Sequence, residues 1–262
     1  MPVALIVEDE PQANQLLAML VQLRGYRTDS AFTGTEALEI AGRTPPDIVF
    51  LDLMLPDING YEVCRSLKSD KATSAIPIVM VTARLAAENR IESYHAGAND
   101  YIPKPYTPDQ IFQAMTDAAQ WCRGLQGHQF EAVIPIEPND EEASLRQLSQ
   151  LGNLLLARSP LDLDAVGAIL AALKTVWSDA VAWGRSRHAP GAVATLAYRL
   201  QGDGLTLTLR DASGWLGSDR LAPERRWPTT IPTAGFDEVR PVDPDQLVFI
   251  KHFPVNGALA NP

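Results

Sequence analysis

Cysteine, positive charge and long apolar runs are all scarce in this sequence, and each scarcity closes off a class of protein. The two cysteines, Cys64 and Cys122, fall in separate predicted helices with no pairing pattern, so no disulfide scaffold is expected and a reducing compartment is. Lys and Arg number 22 against 32 Asp and Glu, and a net charge of -10 leaves no extended basic footprint for a nucleic-acid backbone. DNA is therefore not an expected partner. The uninterrupted apolar runs are strand-sized, and Glu8, Asp9 and Glu10 fall within the first ten residues. Neither a membrane span nor a secretory signal is expected, which implies a cytoplasmic protein without a membrane partner. No internal repeat or low-complexity tract is evident. What the chain does have is 262 residues, 46% hydrophobic and 21% charged, enough for two domains of ordinary size.

From Val3 to about Leu125, short apolar runs alternate with longer amphipathic stretches, the rhythm of a parallel sheet covered by helices on both faces. The strands read as Val3 to Val7, Arg27 to Ala31, Ile48 to Leu51, Ile78 to Val81 and Tyr101 to Pro103. Leu16, Leu17, Leu20 and Val21 mark a first helical stripe, and later helices cover Gly60 to Lys68, Ala86 to Ala96 and Pro108 to Leu125. Thr107, Pro108 and Asp109 form a helix start: a capping hydroxyl, a first-turn proline and an acid at the positive dipole end. After a short joint at Gly124 to His128 the pattern changes. Gln129 to Ile136 reads as a strand, Glu141 to Leu156 and Leu163 to Trp183 as helices, and Val193 to Leu200 with Leu205 to Arg210 as a hairpin turning at Gln201 to Gly204. Asp211 to Asp237 has no periodicity, and Leu247 to Phe253 closes as a strand. The expectation is an α/β domain at 1–125 followed by an α+β domain at 128–262.

In an open parallel sheet, ligands bind beyond the carboxyl ends of the strands. Glu8 and Asp9 follow the first strand, Asp52 ends the third, Thr82 the fourth and Lys104 the fifth. Carboxylates gathered at one point repel unless a cation joins them, and hard oxygen ligands suit Mg²⁺. A single Asp at a strand end is usually a turn residue. The ordered set of an acid pair, an acid, a hydroxyl and an ammonium is not explained that way. His95, on a helix surface, reads as a solvated histidine, and Asp57 to Gly60 as a turn into the third helix.

Val7-Glu8-Asp9-Glu10, Asp52 to Gly60, Val81-Thr82-Ala83 and Asp100 to Pro105 together resemble the response-regulator receiver family over residues 1–125. The resemblance implies a flavodoxin-like, CheY-like fold of strand order 2-1-3-4-5 and an aspartyl phosphate at Asp52. It also implies Mg²⁺ on Asp9, Asp52 and the backbone carbonyl of Met54, with Glu8 acting through water, and a cis peptide between Lys104 and Pro105. Thr82 and Lys104 would handle the phosphoryl oxygens, and Tyr101 would be the switch aromatic. A histidine kinase or phosphotransfer protein is the implied phosphodonor.

The second domain is similar in layout to the GHKL (Bergerat-type) ATPase fold, in its serine-kinase and anti-sigma-factor branch. The long helix from Lys174 to Gly184 stands at the N-box position, and Asp211-Ala212-Ser213-Gly214 follows a strand as the adenine box does. Departures are concentrated at the chemistry. Lys174 replaces the family's general-base glutamate, Asp179 replaces the asparagine that holds Mg²⁺, and Ser213 and Trp215 replace two glycines. Asp179, Asp211 and Gly214 are the candidates for a degenerate nucleotide site. Solvated-helix and turn roles weigh equally for Asp179 and Asp211. Trp215, Trp227, Arg225 and Arg226 suit a protein-binding surface. The expected function is a response regulator whose phosphorylation controls a GHKL-like domain acting on a partner protein. ATP binding or serine-kinase activity gated by Asp52 is the alternative, and homodimerisation a third output.

Overall fold

The computed structural model describes residues 1–83, 87–127, 129–186, 188, 191–213, 216, 233–243 and 245–254. The chain divides into two compact units. The first comprises Met1–Gln126 and Ser149–Ala157, the second Gly127–Leu148 and the chain from Arg158 onward.

Unit 1 alternates strand and helix: β1 (Val3–Val7), α1 (Pro11–Gln22), β2 (Arg27–Ala31), α2 (Gly34–Arg43), β3 (Ile48–Leu51), α3 (Gly60–Ser69), β4 (Ile78–Thr82), α4 (Ala87–His95), β5 (Asp100–Pro103) and α5 (Pro108–Gly124). All neighbouring strands are parallel, in the order β2-β1-β3-β4-β5. The central strands read as unbroken apolar runs because helices cover both faces, and every residue of β3 and β4 is buried. On one face Ile6, Phe50, Val79 and Val81 pack with Leu17, Val21, Ile111 and Met115 from α1 and α5. Pro103 lies on β5, an edge strand, where its missing N–H costs the sheet little.

Helix starts follow their caps. Thr107 accepts from the Gln110 backbone while Gln110 reaches back to Thr107 N, and Asn59 accepts from Tyr61 N at 2.9 Å. The apolar spacing does not single out α2, whose buried face is Gly34, Ala37 and Ala41. Small residues leave a faint stripe.

Unit 2 contains β6 (Phe130–Ile136), α6 (Glu141–Arg158, with 149–157 belonging to unit 1), α7 (Leu163–Ser186), β7 (Ala194–Gln201), β8 (Gly204–Asp211), β9 (Glu238–Asp243) and β10 (Gln246–His252). Its separate antiparallel sheet runs β6-β7-β8-β10-β9. Leu205, Leu207 and Leu209 are buried while Thr206 and Thr208 alternate toward the other face. Gln201 pairs with Gly204, leaving the two-residue hairpin loop Gly202-Asp203. β9 was not expected as a strand. It is an exposed edge strand carrying Pro241, so it lacks the apolar alternation that marks an inner strand.

Among the described residues α7 is long and apolar enough to cross a membrane, with a mean hydropathy of 1.4 over its best window. Asp164, Lys174 and Asp179 interrupt it, which is why uninterrupted runs in the sequence look shorter. Ile169, Leu173, Val176, Trp177 and Ala180 are buried in the protein, as on a core helix.

Candidate functional site

The parallel sheet delivers its polar residues to one end. Glu8 and Asp9 follow β1, Asp52 follows β3, Thr82 ends β4 and Lys104 follows β5. Ligand oxygens of Glu8, Asp9 and Asp52 lie within 4.8 Å of one another, with Glu8 and Asp52 buried and Asp9 exposed. That spacing and donor set fit one hard divalent cation with room for water. Met54, whose backbone carbonyl is the remaining candidate ligand, is exposed and donates its N–H to Asp52 Oδ1 at 3.2 Å.

Lys104 Nζ sits 2.6 Å from Asp52 Oδ2 and 2.5 Å from Glu8 Oε2. Burial by itself would lower the lysine pKa, but hydrogen bonds and charges from Asp52 and Glu8 outweigh it and raise the value. Burial pushes the Glu8 carboxyl up; the Lys104 hydrogen bond and charge offset part of this, and the Asp52 and Asp9 charges add a smaller push upward. The site thus gathers three carboxyl groups around one ammonium.

Asn14 has no place in the sequence reading, and Gly60 enters it only as part of a motif and a turn. Asn14, 2% exposed on α1, donates to the carbonyls of Ile6, Glu8 and Ala31 and accepts from Ser30 Oγ at 2.7 Å. It ties the ends of β1 and β2 under the acidic pair. An Asn in register with Leu17 and Val21 on a buried helix face was the available signal. Gly60 opens α3 against the carboxyl end of β3: a Cβ there would lie 2.2 Å from the Asp52 carbonyl oxygen and 2.8 Å from Leu53 Cα. Only glycine lets that helix start so close to Asp52.

Thr82 is fully buried and Tyr101 is 8% exposed. The Lys104-Pro105 peptide is cis. Asp57 accepts from Gly34 N and Thr35 N, each at 2.8 Å, and the Thr35 side chain first, with these backbone bonds, holds its carboxyl well below the ordinary range. It caps α2 rather than joining the acidic cluster. His95 is partly exposed beside Glu92, as a solvated histidine is.

In unit 2, Asp211 is buried at the end of β8, and both its oxygens are engaged locally. Oδ1 accepts from Ser213 N and Oγ at 2.8 and 2.9 Å, and Oδ2 accepts from Leu216 N at 2.5 Å. Asp179 is exposed on α7 and Lys174 is half-buried. Gly214, Trp215, Arg225, Arg226 and Trp227 lie outside the described residues.

Strand order and acidic pocket define a flavodoxin-like α/β domain with a cation-fitting site at the carboxyl end of its sheet. Residues 4–116 match the response regulator receiver domain, so the N-terminal part of the chain carries a receiver domain. The chain is 37% identical over 148 residues to the transcriptional regulatory protein BaeR of Escherichia coli O6:H1, covering 55% of this chain and 60% of BaeR. It is 39% identical over 131 residues to the transcriptional regulatory protein ResD of Bacillus subtilis, covering 50% of this chain and 52% of ResD. It thus spans little more than half the length of these relatives. A CheY-like receiver domain protein from Methanospirillum hungatei is 25% identical in structure alignment, covering 47% of this chain and 98% of that one with a TM-score of 0.44.

Proposed function

We propose that this protein is a response regulator phosphorylated on Asp52 in a phosphorelay, with residues 1–125 as the switch and 128–262 as its output domain. The observation that carries the reading is the Lys104 ammonium set between Asp52 and Glu8 beside a three-carboxylate cluster. Asp52 Oδ attacks the phosphorus of a histidine kinase or phosphotransfer protein's phosphohistidine; the new O–P bond forms as the donor's N–P bond breaks and the imidazole leaves. Lys104 neutralises the transferring oxygens, and Asp9, Asp52 and the Met54 carbonyl are the residues that would hold Mg²⁺, with Glu8 acting through water. Bound there, the cation supplies the remaining charge neutralisation. The acyl phosphate carries about -1.5 to -2 charges and strong acceptor oxygens, toward which Thr82 Oγ1 turns, and Tyr101 follows into the space. Incubation with phosphoramidate and Mg²⁺ adds one phosphoryl group to the intact mass, and Asp52→Asn abolishes it. Equal labelling of that variant would overturn the assignment.

For the output, a GHKL-like domain acting by protein contact agrees with the helices and antiparallel sheet of unit 2. The Asp211 carboxylate is spent on its own turn, which leaves little of it for an adenine amino group. Lys174 cannot serve as general base while protonated. Nucleotide binding at Asp179, Asp211 and Gly214 stands as the competing reading. Calorimetric titration of ATP with Mg²⁺ into the full chain separates them: micromolar binding lost in Asp211→Asn would favour the nucleotide reading. The regulators it matches are named for transcription, but the acidic charge of this chain favours a protein partner over DNA, in the cytoplasm.

A further inference from the structure

Unit 1 contains a segment from well beyond the receiver match. Residues 149–157, the latter half of α6, pack as part of that unit although the family match ends at 116. Two polar side chains on that helix make the connection. Ser149 Oγ donates to the Ala98 carbonyl at 3.0 Å and Asn153 Nδ2 donates to the Gly97 carbonyl at 2.9 Å. They stand four residues apart, on one helix face, and they read two consecutive carbonyls of the turn between α4 and β5. Both are buried, Ser149 at 8% and Asn153 at 3% exposure, so these bonds are shielded from water.

The turn is built to present those carbonyls. Gly97 has a φ of +100°, a Cβ there would lie 2.8 Å from Lys68 Cγ, and Asn153 Oδ1 would be 3.5 Å away. Beneath it Lys68 Nζ holds the Ser74 and Ile76 carbonyls and Asn99 Oδ1, and that same oxygen accepts from Ile78 N at 3.0 Å. The turn's position is thereby fixed to β4. It leads directly into β5, four residues long, and at the far end of β5 Lys104 touches Asp52. The near end is also tied to α4, through Ala98 N to the Ser93 carbonyl and Gly97 N to the Tyr94 carbonyl.

We propose that the α4–β5 turn of the receiver is the docking surface for the Ser149–Ala157 helix of the same chain, and that this helix senses the state of Asp52 through β5. The inference rests on Asp52 being the phosphoacceptor. Phosphorylation converts the carboxylate partner of Lys104 into a dianionic group with its oxygens farther out, so Lys104 and the strand behind it take up a second position. The turn at the other end of that strand then presents the 97 and 98 carbonyls differently to Ser149 and Asn153. α6 becomes the element both ends bias, which is what coupling requires.

The test is hydrogen–deuterium exchange on the full chain, with intact mass read on the same samples. Ser149→Ala with Asn153→Ala keeps strong helix formers and removes both bonds; exchange at 149–157 is expected to rise by about thirtyfold, the equivalent of two ordinary neutral hydrogen bonds. In the unsubstituted chain, phosphoramidate with Mg²⁺ is expected to change exchange at 149–157 by roughly fivefold or more, and Asp52→Asn is expected to remove the change. Phosphoryl uptake with unaltered exchange at 149–157 overturns this inference and leaves the receiver reading intact. No phosphoryl uptake overturns both, and unaltered exchange in the double variant overturns the docking surface whatever Asp52 does.

Discussion

Lys68 is an ammonium 4% exposed whose three acceptors, the Ser74 and Ile76 carbonyls and Asn99 Oδ1, are all neutral. Burial pushes its pKa down to about 8 from the ordinary 10.5. At 1.36 kcal/mol per pKa unit, that difference means that holding the charged form inside costs roughly 3 kcal/mol near neutrality. A base with a depressed folded pKa is more protonated in the unfolded chain between the two values, so stability rises as pH climbs through that window. Between pH 7 and 9 the gain from Lys68 comes to about 1.3 kcal/mol. The Cys64 thiol, pushed up to about 12 chiefly by burial and held slightly down by the Lys68 charge, opposes this from the ordinary thiol range upward. Native-state exchange of the β1 and β3 amides at pH 7 and 9, corrected for intrinsic rates, measures it. The unsubstituted chain should gain about 1.3 kcal/mol relative to Lys68→Met across that interval. Parallel pH profiles would refute the reasoning: they would mean that three carbonyl-type acceptors solvate the ammonium as well as water does.

Gly60→Ala should destabilise unit 1 by about 3 kcal/mol and slow phosphoryl uptake, because its Cβ meets the backbone of Asp52 and Leu53 and neither atom can turn away. Thermal unfolding and intact-mass labelling check the two effects. Asn14→Leu should cost about 2 kcal/mol by stranding the Ser30 hydroxyl and three carbonyls, and it should weaken Mg²⁺ binding by loosening the β1 end at Glu8. Isothermal titration with Mg²⁺ reads the second effect. Asp211→Ala should cost about 2 to 3 kcal/mol in unit 2, since the buried Leu216 N–H loses its acceptor, as seen by faster exchange in β8 and β10. Unchanged exchange there would return Asp211 to the ligand-binding reading.

Much of unit 1 was legible because its signals are local or carried by order along the chain. β1 and β3 coincide with apolar runs, and the Thr107 cap starts α5, because burial on both faces and end-group hydrogen bonding act over a few residues. The set Glu8, Asp9, Asp52, Thr82 and Lys104 was readable because every parallel strand delivers its next residue to the same end of the sheet. α2 and β9 were not, since small buried residues and an exposed edge leave no periodic mark.

The spending of Asp211 on Ser213 and Leu216, the capping of α2 by Asp57 from 23 residues away, and the reading of Gly97 and Ala98 by Asn153 and Ser149 belong to tertiary structure alone. Sequence by itself determined which side chains had the chemistry, and at which strand ends they would appear. Folding decided which of their oxygens and protons were still available, because a hydrogen-bonding group offers only a few directions and its partners can come from anywhere in the chain.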